Sequence, residues 1–323
     1  MSYDADLIVD RRRIRRKLTF WRIAAVLIAV VAIVAAGLVA TRHGFPGEKT
    51  IARVTIEGLI RSDNDRVAAL DRLAKSSAAA VIVHINSPGG TTAGTEQRYD
   101  ALIRLKATTP VVVVVEGLCA SGGYITAIAA DRIIAQSTSL VGSIGVLVQF
   151  PNFAELMKTV GVKVEEVKSS PLKASPNGFE PTSEAARAAL DDLVKDSYAW
   201  FRGLVKDRRN MDDATLEKVA DGRVFTGRQA IALKLVDELG DEKTAIAWLA
   251  AEKKISADLP VRDYKLDARL GDLSFLRLAT YATLDAVGLG GLARTFADAG
   301  AMQAANGFGL EGLLAIWRPA AAN

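Results

Sequence analysis

The run EGLCASGGYITAIAADRI, from Glu116 to Ile133, sets small residues between five valines and an apolar helical pattern. A strand ending at Glu116, a turn allowed by Gly117 and a helix beginning near Ser121 would carry the Ser121 hydroxyl off the C-terminal edge of a parallel sheet. That position lies at the positive end of a helix, where ligands of open α/β folds bind. The same spacing also suits an ordinary helix N-cap serine. Gly122 and Gly123 leave room for a substrate backbone to approach.

A second stretch, HINSPGGTTAGT from His84 to Thr95, repeats the plan of a strand entering a glycine turn and then a helix. Gly89 and Gly90 can present backbone N–H groups to an anion or a carbonyl oxygen. If the two strands are neighbours, these glycines lie beside Ser121. With the N–H of Gly122 they make a nucleophile and its oxyanion donors. A serine hydroxyl also needs a base. His84 is one of only two histidines, and it lies inside a strand, where a structural role competes. The loop VKSSPLKASPNGF offers Lys168 and Lys173; a lysine base must be uncharged, which requires a desolvated site.

Other reactive types are less well placed. Cys119, the single cysteine, reads as a small buried hydrophobe. Ser143 lies in VGSIG, a turn between strands that is too short for a dinucleotide loop. Asp221 reads as one half of an ion pair with Arg223. No histidine or carboxylate spacing suggests a metal site, and no cofactor is expected.

The elements that must position these residues follow from periodicity. Short β-branched runs at Ile51 to Ile60, Ala79 to Ile85 and Val111 to Gly117 alternate with helical patterns at Arg66 to Lys75 and Thr95 to Lys106. That alternation predicts βαβ crossovers and a mostly parallel sheet. Further strands are expected at Arg132 to Gln136, Ile144 to Phe150 and Val162 to Lys168. A long amphipathic helix is expected from Thr182, with Glu184 and Asp191 toward its start and Arg208 and Arg209 at its end. Shorter helices should follow at Asp212 to Ala220 and Gly227 to Leu235. The Ala/Gly/Leu-rich stretch 259–323, with FGLEGLLAIW near its end, reads as an amphipathic packing or membrane-surface segment.

The formal net charge of +4 is carried by the first 22 residues, where seven arginines and lysines face three aspartates; the remainder is neutral. A basic block abutting an apolar segment argues against a nucleic-acid surface. Residues 23–40, IAAVLIAVVAIVAAGLVA, are long enough to span a bilayer, with Phe20 and Trp21 at one interface. The positive-inside rule keeps residues 1–22 in the cytoplasm and sends the chain after a linker at 41–49 across the membrane. A cleaved secretory signal is the alternative; Ala36 and Ala40 suit it and Leu38 does not.

INSPGG, EGLCASGGYITAIAADRIIAQSTSLVGSIGV, VKSSPLKA and VADGRVFTGRQAIALKLVDELG, in that order, resemble the signal peptide peptidase A (protease IV) family of membrane-anchored serine-lysine peptidases, in its short single-repeat form. The resemblance covers about Ile51 to Ala250. It implies an α/β fold of the crotonase and ClpP type, a repeated ββα core with a parallel sheet, over residues 50–258 and preceded by one transmembrane helix. It implies Ser121 as nucleophile, Lys173 as general base, and Gly89, Gly90 and Gly122 as oxyanion donors. Ala174 stands where the family more commonly has an acidic residue. The implied activity is degradation of remnant signal peptides on the periplasmic side of a bacterial inner membrane. The implied assembly is a homo-oligomeric ring whose serine and lysine come from neighbouring subunits. An acyl-CoA-binding crotonase-like enzyme and a catalytically silent membrane scaffold are the rival readings.

Overall fold

Five consecutive valines, Val111 to Val115, show how the sheet is built. In the computed structural model Val111, Val113 and Val115 point into one hydrophobic core and Val112 and Val114 into another. Successive strand side chains alternate between faces, so a run with no polar residue requires both faces to be covered. Ile51 against Ala52, and Ile82 against Val81 and Val83, divide between the two cores in the same way.

The structure describes residues 17–22, 49–266 and 314–316. Residues 17–22 are helical, with Phe20 and Trp21 exposed and packed edge to face. They belong to a unit separate from the one that begins at Thr50. The expected spanning segment, residues 23–40, lies outside the described residues, as do most of the linker at 41–49 and most of 259–323. Among the described residues no helix is long and apolar enough to cross a membrane.

The second unit opens with β1 (Thr50–Ile60), α1 (Asn64–Leu73), β2 (Ala78–Thr91), α2 (Thr92–Lys106), β3 (Val111–Ala120) and α3 (Gly122–Ala127). There follow β4 (Arg132–Ala135), β5 (Leu140–Gly142), α4 (Ala154–Thr159), α5 (Glu184–Arg209), α6 (Asp213–Val219), β6 (Val224–Thr226) and α7 (Gly227–Ala232). The described chain closes with β7 (Glu238–Leu239), α8 (Glu242–Lys253), β8 (Val261–Asp263) and β9 (Leu314–Ile316). The sheet is mixed, in the order β6-β5-β3-β2-β1-β8; β4 joins β3 and β7, and β9 joins β2. All pairs are parallel except β5 with β6 and β2 with β9.

β3 is the pivot. Its first half, Val112 to Val115, pairs with β4, and its last three residues, Leu118 to Ala120, turn away to pair with β5. Register breaks at Glu57/Leu59 in β1 and Ile85/Ser87 in β2 accompany this divergence. Helix α5 starts on Ser183, whose hydroxyl accepts from the N–H of Ala186, and ends with Asn210 in the left-handed conformation. Its Arg208 donates to the carbonyls of Ile128 and Ala130 just past α3. From inside α3, Tyr124 donates to the carbonyl of Leu235 at 2.8 Å. These bonds hold α3, and with it the residue at its head.

Two expected strands do not form. Residues 144–150 and 162–168 carry no ladder of their own apart from one isolated bridge, and the only regular element between β5 and α5 is the short α4. β-branched residues favour a strand only where another strand completes the hydrogen bonds. No described segment does so here, and Phe150, Phe153, Leu156, Val162, Val164 and Phe179 are exposed.

Candidate active site

Ser121 follows the last residue of β3 with φ 54° and ψ −118°, a conformation that costs a non-glycine residue energy. Its N–H donates to the carbonyl of Gly142 at 2.7 Å, and its carbonyl accepts from Ile125, the first bond of α3. In backbone terms the residue is an N-cap, yet its side chain makes no capping bond. Among the described residues the hydroxyl's one partner is the carbonyl of Gly145, at a long 3.5 Å. It is 1% exposed. A buried hydroxyl on a strained strand-to-helix junction, unused by the fold, can act as a carbonyl-directed nucleophile.

The glycine pair sits in a strand, whereas a turn was expected. β2 continues through Thr91, and Gly89 and Gly90 lie opposite Leu59 and Ile60 of β1. A Cβ at Gly90 would stand 1.7 Å from the carbonyl oxygen of Ile60, so close strand contact alone demands glycine there. Ser87 pairs with Cys119 at the last β2–β3 contact. Gly89 and Ser121 each follow two residues later, so the register brings the two stretches to one end of the sheet. A Cβ at Gly123 would meet the Ser87 carbonyl at 2.9 Å, which shows how closely α3 rides over β2.

Two of the candidate donors, Gly89 and Gly122, differ in availability. The N–H of Gly89 already donates to Ser87 Oγ at 3.1 Å, and that hydroxyl donates to the carbonyl of Gly58 at 2.7 Å. Gly122, as the first residue of a helix, has no intrahelical acceptor for its N–H. Ser87 and Gly145 escaped the sequence reading, since only the folded register sets Ser87 beside Gly89 and Gly145 beside Ser121.

The candidate bases separate clearly. His84 has both ring nitrogens engaged, Nε2 with Glu242 at 2.7 Å and Nδ1 with Glu116 at 3.2 Å, so it serves the sheet face and makes no bond with Ser121. Lys168 pairs with Glu166 at 2.6 Å and Glu180 at 2.7 Å. The Glu166 carboxylate first, then Glu180, raise its pKa above the usual lysine range and keep it protonated. Lys173 is exposed on the same loop, and its ammonium has no hydrogen bond or ion pair among the described residues. Within one chain no hydrogen bond joins it to Ser121.

The remaining reactive residues are structural. Cys119 is fully buried in the larger core, and burial pushes its thiol pKa up, away from the reactive thiolate. Ser143 has φ 52°, and its N–H donates to the carbonyl of Arg223 at 2.8 Å; it shapes the turn after β5. Asp221 is held by Arg223, with Nε to Oδ2 at 2.6 Å. No group of residues suited to a metal ion occurs among the described residues.

A mixed α/β sheet that presents a strained serine, its hydroxyl capping nothing, beside a glycine-lined strand defines a hydrolase-type site. Residues 103–256 match the peptidase family S49 model. A protein named as a protease in Synechocystis sp. is 34% identical over 65% of this chain and 76% of its own length. One from Enterococcus faecium, named as signal peptide peptidase SppA, is 32% identical over 58% of this chain and 54% of its own. Among solved structures, a ClpP1 mutant from Listeria monocytogenes aligns with TM-score 0.42 and 17% identity, over 64% of this chain and 96% of that one. The chain belongs to peptidase family S49, the family of signal peptide peptidase A, and is a protease.

Proposed function

We propose that the chain is a membrane-anchored serine endopeptidase in which Ser121 attacks the peptide carbonyl and Lys173 takes its proton. Gly122 and the Gly89–Gly90 strand would hold the oxyanion, and water would then release the acyl group. The observation that carries the reading is Ser121 itself: a non-glycine residue at φ 54° whose hydroxyl caps nothing. Strain without a structural return is what a positioned nucleophile leaves behind.

The base reaches the site from a second copy of the chain. Lys173 is exposed and unpaired among the described residues, which offer it no desolvated position. The 144–182 region around it exposes Phe150, Phe153, Leu156, Val162 and Val164, an apolar surface of the kind that marks protein contacts. A ring in which this arm crosses to the next subunit covers the apolar surface and buries the lysine together. The sheet is then a version of the crotonase and ClpP core, with β2 and β3 each continuing past a register break toward the site.

The substrates are remnant signal peptides, apolar segments released in the membrane. Residues 23–40 anchor the chain in a bacterial inner membrane, residues 1–22 stay in the cytoplasm, and the peptidase domain is periplasmic. The exposed Phe20–Trp21 pair beside that apolar run suits a membrane interface. The test is mass-spectrometric mapping of a fluorophosphonate on the detergent-solubilised chain. Labelling at Ser121 that is lost in Lys173→Ala is expected; hydrolysis that survives Ser121→Ala would overturn the mechanism.

A further inference from the structure

Lys173 lies on a loop whose two ends are pinned together by other charges. Lys168 Nζ stands 2.6 Å from Glu166 and 2.7 Å from Glu180. The Lys168 side chain is only 18% exposed, in a cleft walled by Val164, Pro171 and Phe179. From within the loop Ser175 donates its hydroxyl to Glu180 Oε1 at 3.2 Å, and the Asn177 amide donates to the same oxygen at 3.0 Å. That amide also reaches Glu166 at 3.4 Å and the carbonyl of Ala174 at 3.3 Å. Ala174, next to Lys173, takes φ 57°, which a non-glycine residue holds only where its surroundings fix it. A single side-chain amide therefore separates both carboxylates from the residue beside Lys173.

We propose that Lys168 is a positioning residue for the Lys173 base: it closes the loop on Glu166 and Glu180 and withholds those two carboxylates from Lys173. The inference rests on the peptidase reading above, in which Lys173 takes the Ser121 proton. A general base must first be free of its own proton, and a carboxylate within reach holds an ammonium charged. Glu166 and Glu180 are tied to the residues flanking Lys173 through Asn177 and Ser175, and a lysine's flexible four-carbon stem can reach them from position 173. Lys168 occupies both. They keep it protonated in turn, Glu166 first and then Glu180, so it does not compete for the serine proton. The next charges on this arm, Lys158, Lys163 and Glu165, line a neighbouring cleft that shares Val164 and Phe179. A surface ion pair adds little to stability by itself. Its effect here is on which of two lysines stays charged.

The experiment follows two pH profiles on the detergent-solubilised full chain: kcat/KM for an apolar peptide, and the rate at which acetic anhydride acetylates the Lys173 amine, located by mass spectrometry. Only the free base is acetylated, so the second profile needs no catalysis. Lys168→Met is expected to move the midpoint of both profiles up by about one pH unit, which is about a tenfold loss of kcat/KM on the acid limb. Lys168→Arg, which keeps the charge, should leave both in place. Adding Glu166→Gln and Glu180→Gln to Lys168→Met should return both midpoints to the wild-type position. If Lys168→Met does not fold, Glu166→Gln with Glu180→Gln in a chain that keeps Lys168 carries the opposite sign, a midpoint moved down. A hydrolysis midpoint that stays in place in Lys168→Met, or a shift that the two added substitutions do not reverse, overturns the proposal. If Lys173→Ala hydrolyses peptide like wild type, the base reading itself fails, while the acetylation profile still decides whether Lys168 withholds the carboxylates.

Discussion

The backbone N–H of Ser121 donates to the carbonyl oxygen of Gly142 at 2.7 Å, which extends the parallel β3–β5 ladder by one bond to the residue after the strand. That bond ties the strained serine to a glycine whose own φ is 107°. Two unusual backbones hold one another, so the position of the hydroxyl depends on both.

Gly142→Ala should therefore damage the site from outside it. An added Cβ would lie 3.2 Å from Phe225 and 3.3 Å from the carbonyl of Arg223, on a backbone that side chains rarely adopt. A loss of about 1–3 kcal/mol in urea unfolding is expected, with a fall in labelling of Ser121 larger than the fraction unfolded explains.

At Ser121 itself, stability and function should oppose one another. Ser121→Gly relieves about 1–3 kcal/mol of backbone strain, offset by about 0.5–1 kcal/mol of added chain freedom. Ser121→Ala keeps the strain. The glycine variant should melt above the alanine variant in calorimetry, with both inactive; equal melting temperatures would mean the serine backbone stores no strain.

Assembly can be read by complementation. Ser121→Ala and Lys173→Ala chains should each be inactive alone, with Lys173→Ala folding normally because its ammonium makes no bond among the described residues. Mixed and reassembled, they should regain part of the wild-type peptide hydrolysis, since a subunit with an intact serine can then meet one with an intact lysine. No recovery on mixing would place both residues of the pair on the same chain.

Acid stability should depend on Glu242. Its carboxyl accepts from Arg53 through both oxygens at 2.6 Å and contacts His84 at 2.7 Å. The Arg53 hydrogen bond first, and then His84 against the opposing cost of burial, hold its pKa below the usual carboxylate range. A depressed carboxylate contributes its full stability above its unfolded pKa of about 4.3 and loses it as pH falls through the folded value. Glu242→Gln should cost about 1–2 kcal/mol at pH 7, reduced by solvent at this partly exposed site. The difference from wild type should shrink below about pH 4, which chemical denaturation at a series of pH values measures.

Much of the fold was legible because its strands are buried on both faces. Unbroken runs such as Val111 to Val115 have few alternatives, and the capped, amphipathic α5 announced both its ends. Residues 144–168 misled because valine and phenylalanine favour strands generally, while a ladder needs a partner that no described segment provides. At the site, residue type and spacing pointed to Ser121, but they read Gly89 and Gly90 as a turn. Only the contact with Ile60, at 1.7 Å from an added Cβ, shows why a straight strand needs glycine there.

The sequence by itself determined the parallel α/β core, the order of the motifs and the family, because local periodicity and ordered residue patterns survive without coordinates. The tertiary structure decided which groups are free to react. Burial and register left the Ser121 hydroxyl with one long contact while engaging both nitrogens of His84 and locking Lys168 between two carboxylates. It also decided that β9 lies against Gly89–Thr91. Pairing between segments so far apart in the chain depends on hydrogen bonds and shape that no local pattern encodes.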